Sequence, residues 1–114
     1  MILTIERKNI LPDITVLEMT GRITLGNNSR EVEMQLAQIL NAQAKKIIFD
    51  LQGVSMMDST GIGILVVCQG KVAQAGGQLR IAGATGVVDE ILRMTSVQKL
   101  VPTFPTVAEA ANDF

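Results

Sequence analysis

The chain has 114 residues, of which 47% are hydrophobic and 18% charged, and these values predict one globular domain over residues 1–114. A net charge of −1 and an aromatic share of 3% argue against nucleic acid as a partner, since binding would need basic patches and stacking rings. The count of zero histidines removes Ser-His-Asp and Cys-His catalysis and imidazole-based zinc sites.

Two neighbouring strands open the chain. Residues 2–8 alternate in polarity and predict a strand at the edge of a sheet. A Pro-Asp turn at residues 12–13 leads into a second predicted strand, Ile14–Ile23. Because a short turn joins them, we expect an antiparallel hairpin.

The middle of the chain alternates helix and strand. From Arg30, the apolar residues recur at the i, i+4, i+7, i+8 spacing of an amphipathic helix that ends near residues 41–44. Residues 46–51 form a continuous apolar run, which is typical of a central strand covered on both faces. Residues 62–75 are apolar nearly all round and predict a buried helix.

The last third of the sequence repeats the alternation. We expect a strand at Gln78–Ala82, a short helix at Gly86–Met94, a strand within residues 101–104 and a closing helix over residues 106–112. The predicted fold class is α/β, with a mixed sheet of four to five strands and about four helices packed on it.

Cysteine usage and hydropathy indicate the compartment. Cys68 is the lone cysteine, so it has no partner for an intramolecular disulfide, and its apolar surroundings are typical of a buried thiol. The N-terminal residues lack a signal-peptide pattern, and no apolar run approaches the ~18 residues that span a bilayer. We therefore expect a cytoplasmic protein that does not insert into a membrane.

The segment at residues 55–63, SMMDSTGIG, has several interpretations. A hydrolytic nucleophile is disfavoured because Ser59 lacks both a Gly-x-Ser-x-Gly elbow and a histidine base. A phosphate cradle has weak support, because Gly61 and Gly63 give only part of a dinucleotide fingerprint and no Walker lysine follows. We accordingly expect no catalytic residue, no cofactor and no metal site in this chain.

Two interpretations of residues 55–63 remain, namely helix capping and covalent modification of a hydroxyl. Asp58, Ser59 and Thr60 are all good N-cap residues, although one cap needs only one of them. A first-turn hydroxyl is reachable by a kinase, and a phosphate there would carry a charge of about −1.5 to −2. Methionine adapts to varied partners, so Met56 and Met57 are predicted to form a partner surface with the helix start. Phosphorylation would then change binding more than it changes the domain.

Several segments together resemble one protein family. Residues 58–63, DSTGIG, resemble the Asp-Ser-Ser/Thr-Gly-Leu-Gly signature of anti-sigma factor antagonists, the bacterial members of the STAS domain family. Residues 21–23 fall where the family has Gly-Glu-Ile/Leu, and residues 47–51 with Val54 resemble its central strand and the approach to the signature. Residues 76–79 resemble its Gly-Gly-x-Leu turn. The resemblance covers essentially the whole chain.

The resemblance implies a signalling switch of the STAS fold. The unphosphorylated antagonist binds an anti-sigma factor with serine kinase activity and so releases a sigma factor; phosphorylation ends that binding, and a PP2C-type phosphatase restores it. Carried over, Ser59 is the first expected phosphosite and Thr60 the second. Asp58 would position the site, and Gly61 and Gly63 would allow close approach of backbone.

One departure from the family concerns the segment after the second strand. Arg22 and Thr24 stand where the family carries acids near the phosphosite. The region is therefore less acidic here, and Arg22, Thr24 and Ile62 join the predicted partner surface. The alternative function is a STAS docking or scaffold subunit, for example of a lipid-transport or stress-signalling complex, whose hydroxyls are never phosphorylated.

Overall fold

The computed structural model describes all residues from Met1 to Phe114. Its regular elements, in chain order, are β1 (Thr4–Ile10), β2 (Ile14–Ile23), α1 (Arg30–Asn41), β3 (Lys46–Met57), α2 (Ser59–Gln74), β4 (Gln78–Ala82), α3 (Gly86–Met94), β5 (Thr103–Phe104) and α4 (Val107–Ala111), with a 3-10 turn at Val97–Lys99 between α3 and β5. This order confirms the predicted alternation of strands and helices after an opening hairpin.

A single five-stranded sheet organises the domain, and its strands lie in sequence order, β1-β2-β3-β4-β5. β1 and β2 form the expected antiparallel hairpin, with β1 at an edge of the sheet. The β2–β3, β3–β4 and β4–β5 pairs are all parallel. The carboxyl ends of β2 and β3 therefore meet at the same edge, and the segments that follow them are neighbours.

The two faces of the sheet are covered unequally. The front face carries the main core of 22 buried residues, which includes side chains from α1, α2 and α3. The back face carries a smaller cluster of five buried residues, Ile14, Val16, Ile48, Ala82 and Ala110, the last of them from α4. No helix in the structure combines the length and hydropathy that would be needed to span a lipid bilayer.

Helices α1 and α2 follow their sequence patterns to different degrees. The predicted stripe of α1 is buried, at Val32, Leu36 and Ile39. The expectation that α2 is buried all round is wrong in part, because Val66 and Val67 are 40% and 45% exposed. A helix that packs on one face of a sheet has an outer side that faces away from the sheet. In α2, no other part of this chain covers that outer side.

The boundaries near residues 51–62 differ most from the prediction. β3 continues to Met57 instead of ending at residue 51, because β2 continues alongside it and pairs with residues 53–57. Two register shifts in that pairing interrupt the alternation of side chains, and so the sequence did not show a strand there. α2 begins at Ser59 instead of residue 62, directly after Asp58.

Candidate functional site

Asp58 is the residue that starts α2. Its backbone is extended, with φ −107° and ψ −171°, and its side chain accepts a hydrogen bond from the Gly61 backbone N–H at 3.0 Å. Its carbonyl oxygen accepts the first intrahelical bond, from the Ile62 N–H at 3.1 Å. Of the three possible capping residues, Asp58 is therefore the one that caps the helix.

The second carboxylate oxygen of Asp58 binds another part of the chain. Oδ2 accepts a hydrogen bond at 3.0 Å from the backbone N–H of Leu25, in the loop between β2 and α1. The hydrogen bonds from Leu25 and from Gly61 hold the pKa of Asp58 below its usual value, because they favour the carboxylate. Asp58 thus joins the β2–α1 loop to the start of α2 and carries a negative charge at neutral pH.

The two hydroxyls that follow Asp58 are not engaged within the chain. Neither Ser59 nor Thr60 donates or accepts a side-chain hydrogen bond, because Asp58 has taken the capping role. Ser59 is exposed at the first position of α2, whereas Thr60 is half-buried. Both hydroxyls stand in the first helical turn, where free backbone N–H groups favour a nearby anion.

The two glycines of the hexad, defined as residues 58–63 (DSTGIG), have different surroundings. A Cβ atom at Gly61 would overlap the carbonyl oxygen of Ile23, so the close approach of α2 to the end of β2 requires glycine at this position. A Cβ atom at Gly63 would meet nothing within 4 Å. Within this chain, backbone therefore approaches closely at Gly61, whereas at Gly63 the helix faces open space.

A cleft of about 430 Å³ opens beside Thr60. It is lined by the β2–α1 loop, by α1 and by the first turns of α2, through Leu25, Gly26, Ser29, Arg30, Glu33, Thr60 and Ile64. The sequence did not point to Leu25 or Arg30 as site residues. The parallel order of β2 and β3 could have done so, because it brings the loop after β2 next to the segment after β3.

Leu25 is an exposed apolar side chain held in a fixed place. Its side chain is 78% exposed, while its backbone N–H is bonded to Asp58. Arg30 is exposed on the rim of the same cleft and forms no ion pair, since the salt bridges of the chain involve Lys8, Lys46 and Arg93. The surface around the hexad therefore presents an apolar group and an available cation.

Met56 and Met57, which were both predicted to lie on the partner surface, differ in exposure, and the burial of Met57 contradicts the prediction for that residue. Met56 is 41% exposed and lies opposite Arg22, which is also exposed, in the β2–β3 pairing. Met57 lies opposite Ile23 and is only 1% exposed, because this pair points into the main core on the front face. Met57 is therefore a core residue and cannot contact a partner.

The remaining two residues of that surface are only partly accessible. Thr24 is half-buried, and its carbonyl oxygen accepts a hydrogen bond from the Asn27 N–H at 3.1 Å in the loop after β2. Ile62 is half-buried and packs against the main core. The structure also contains no group of His, Cys, Asp and Glu side chains placed to hold a metal ion.

Fold and site define an α/β domain that presents two unengaged hydroxyls at the capped start of a helix. The sequence of residues 7–110 matches the STAS domain. This match covers nearly the whole chain, and the chain belongs to the STAS domain family.

Individual relatives and solved structures agree with this membership. A protein of Thermotoga neapolitana is 23% identical over 104 residues, 91% of this chain and 92% of the relative. The anti-sigma F factor antagonist of Paenibacillus polymyxa is 23% identical over 101 residues, 88% of this chain and 86% of the relative.

Two solved structures show the same fold. That of an anti-sigma factor antagonist from Mycobacterium paratuberculosis superposes with a TM-score of 0.84 at 18% identity, covering 95% of this chain and 90% of the other. The phosphorylated form of the Bacillus cell fate determinant SpoIIAA superposes with a TM-score of 0.70 at 14% identity, covering 94% of this chain and 96% of the other.

Proposed function

We propose that this chain is an anti-sigma factor antagonist switched by phosphorylation in the hexad. In its unphosphorylated form it binds an anti-sigma factor that has serine kinase activity, and a sigma factor is released. The observation that carries the proposal is that Asp58 caps α2 alone and leaves both following hydroxyls unengaged at the helix start. Relatives named as anti-sigma factor antagonists share the fold and nearly the full length.

We assign the phosphate first to Ser59 and second to Thr60. Ser59 is exposed, so a kinase active site can enclose its hydroxyl without moving α2. Thr60 is half-buried and faces the cleft beside Arg30, where the β2–α1 loop restricts approach. The γ-phosphoryl group of ATP moves to Oγ of Ser59, ADP leaves, and the hydroxyl proton goes to solvent. A PP2C-type phosphatase would hydrolyse the ester and restore the hydroxyl.

The switch works through charge at the surface. Asp58 is ionised at neutral pH, as any aspartate with an ordinary or lowered pKa is, and a phosphate on Ser59 would add a charge of about −1.5 to −2 directly beside it. The first-turn N–H groups and the helix dipole favour an anion, so the domain can accept the phosphate. A partner packed against this surface would have to bury two neighbouring negative charges, and we expect it to dissociate.

The partner surface that supports this mechanism surrounds Ser59. Met56 and Leu25 supply exposed apolar groups, Arg22 supplies a cation, and Gly63 leaves room for the backbone of a partner. Glycine inside an exposed helix costs about 1 kcal/mol relative to alanine, and the fold does not need it at residue 63. Close packing of another protein against this part of α2 would explain why residue 63 is glycine. The chain thus acts as a cytoplasmic binding protein and not as an enzyme.

The first experiment maps the phosphate. Wild-type protein, Ser59→Ala and Thr60→Ala are incubated with ATP and each candidate anti-sigma kinase that binds the wild-type chain, and peptides are analysed by mass spectrometry. We expect phosphate on Ser59 in the wild type, and its loss in Ser59→Ala but not in Thr60→Ala. A kinase that binds the chain but modifies neither hydroxyl would refute the phosphorylation switch.

The second experiment measures the switch. Ser59→Asp should bind the same kinase at least about tenfold more weakly than Ser59→Ala, because it places a charge beside Asp58. Leu25→Ser and Gly63→Val should also weaken binding while the far-UV circular dichroism spectrum stays unchanged. Equal affinity of Ser59→Asp and Ser59→Ala would favour the docking-subunit alternative, in which the hydroxyls have no regulatory role.

A further inference from the structure

The C-terminal strap, defined as residues 105–114, lies across the back face of the sheet. It contains the short helix α4, whose Ala110 is fully buried. Beneath it lie the back-face side chains of Ile14, Val16, Ile48 and Ala82. The strap is thus the cover of the second, smaller core, on the face opposite α2.

Arg80 makes every hydrogen bond between the strap and the rest of the chain. Its Nη1 donates to the carbonyl oxygens of Ala110 at 2.8 Å and Asn112 at 3.0 Å, and its Nη2 donates to that of Asp113 at 3.3 Å. The other hydrogen bonds of the strap stay inside it, such as those from the Ala110 and Asn112 N–H groups. A single side chain therefore provides the polar attachment of ten residues.

Two aromatic rings complete the surroundings of the Arg80 guanidinium. Its central carbon lies 4.1 Å from the ring centroid of Phe114 and 5.4 Å from that of Phe104. Both distances are within the range of a cation–π interaction. No carboxylate forms an ion pair with Arg80, so its charge is met by carbonyl dipoles and aromatic faces. The fork of the guanidinium can serve all these partners at once, which lysine could not.

The strap has little stability of its own. The five residues of α4 are far fewer than an isolated helix needs in water, so the helix persists through its tertiary contacts. Its contacts belong to the back-face cluster, and the main core lies on the other side of the sheet. Loss of the strap would therefore leave the main core and the hydrogen bonds between the strands in place.

We propose that the strap opens and closes as one unit while the rest of the domain stays folded, and that Arg80 sets how much of the time it is closed. Opening breaks the three hydrogen bonds of Arg80 together and exposes Ile14, Val16, Ile48 and Ala82. The back face of the fold thus carries a conformational switch, formed by the strap and Arg80, whose residues are separate from the proposed phosphorylation site.

Hydrogen exchange followed by mass spectrometry tests this device on the full chain. In the wild type, the Ala110 and Asn112 amides should exchange faster than those of residues 47–50 in β3. In Arg80→Gln, exchange in the strap should accelerate roughly tenfold to a hundredfold, because three hydrogen bonds and the cation–π contacts are lost. Exchange in β3 should change little.

Two further variants make the test specific. Arg93→Gln removes an exposed arginine that pairs with Asp89 on α3, and it should leave exchange in the strap unchanged. Phe114→Ala removes one ring and should give an increase smaller than that of Arg80→Gln. Unchanged strap exchange in Arg80→Gln, or equal acceleration in the strap and in β3, would overturn the proposal. If Arg80→Gln does not fold, the same comparison is made with Phe114→Ala.

Discussion

Alanine at each hexad glycine provides a direct test of the site geometry. In Gly61→Ala the new methyl group would overlap the carbonyl oxygen of Ile23. That carbonyl has little freedom to move, because Ile23 is fully buried and its oxygen accepts a hydrogen bond from the Asp58 N–H at 3.4 Å. In Gly63→Ala the methyl group would point into open space.

The expected effects on stability have opposite signs. Overpacking in a tight site costs about 1–3 kcal/mol, and the better helix propensity of alanine offsets at most ~1 kcal/mol of this in Gly61→Ala. At an exposed helical position only helix propensity affects the free energy of unfolding, so Gly63→Ala should be more stable than the wild type by ~0.5–1 kcal/mol. For a chain of this size, 1 kcal/mol corresponds to about 4 °C in Tm. The two single-methyl variants should thus lie on either side of the wild type.

Urea and thermal unfolding followed by circular dichroism at 222 nm give the measurement, because the chain has no Trp or Tyr for fluorescence. A Gly61→Ala protein as stable as the wild type would show that α2 does not approach Ile23 as closely as described. A destabilised Gly63→Ala protein would show that this face of α2 is already covered in the isolated chain, and it would remove the support that Gly63 gives to the partner surface.

Three more predictions follow from the same geometry. Asp58→Ala should lose ~1–2 kcal/mol at neutral pH. Because folding lowers the pKa of Asp58, this contribution is present above the ordinary carboxyl pKa and is lost as pH falls through the lowered value, so the urea midpoints of variant and wild type should converge as the solution is acidified. Met57→Lys should destabilise the fold by about 3 kcal/mol or more while Met56→Lys is tolerated in the same urea titration, and similar midpoints would contradict the burial of Met57. Cys68 is buried and its pKa is raised to about 12 by desolvation, so it should react with a thiol reagent at pH ~8 only after urea unfolds the chain; rapid labelling of native protein would be inconsistent with this packing.

Elements with clean patterns were predictable from the sequence. β2, β4 and α3 have the expected boundaries, because alternation or helical spacing runs unbroken through them and turn or capping residues flank them. β3 was predicted too short because the shifts in its pairing with β2 disturb the two-residue period. The same shifts make the side chain of Met57 point into the core. Two adjacent methionines in the sequence give no sign of this orientation.

The sequence by itself determined the α/β class and the order of strands and helices, and it predicted a capped helix near the two hydroxyls without fixing the residue at which that helix begins. These follow from local composition and from the spacing of apolar residues, and local physics is sufficient for both. Only the tertiary structure decided that Asp58 alone is the cap, since its second oxygen is bound by Leu25, 33 residues earlier in the chain. The tertiary structure also distinguished the tightly packed Gly61 from the open Gly63, and it showed that Arg80 holds the strap. Such roles depend on contacts between segments that are distant in sequence and become adjacent only after the sheet has formed.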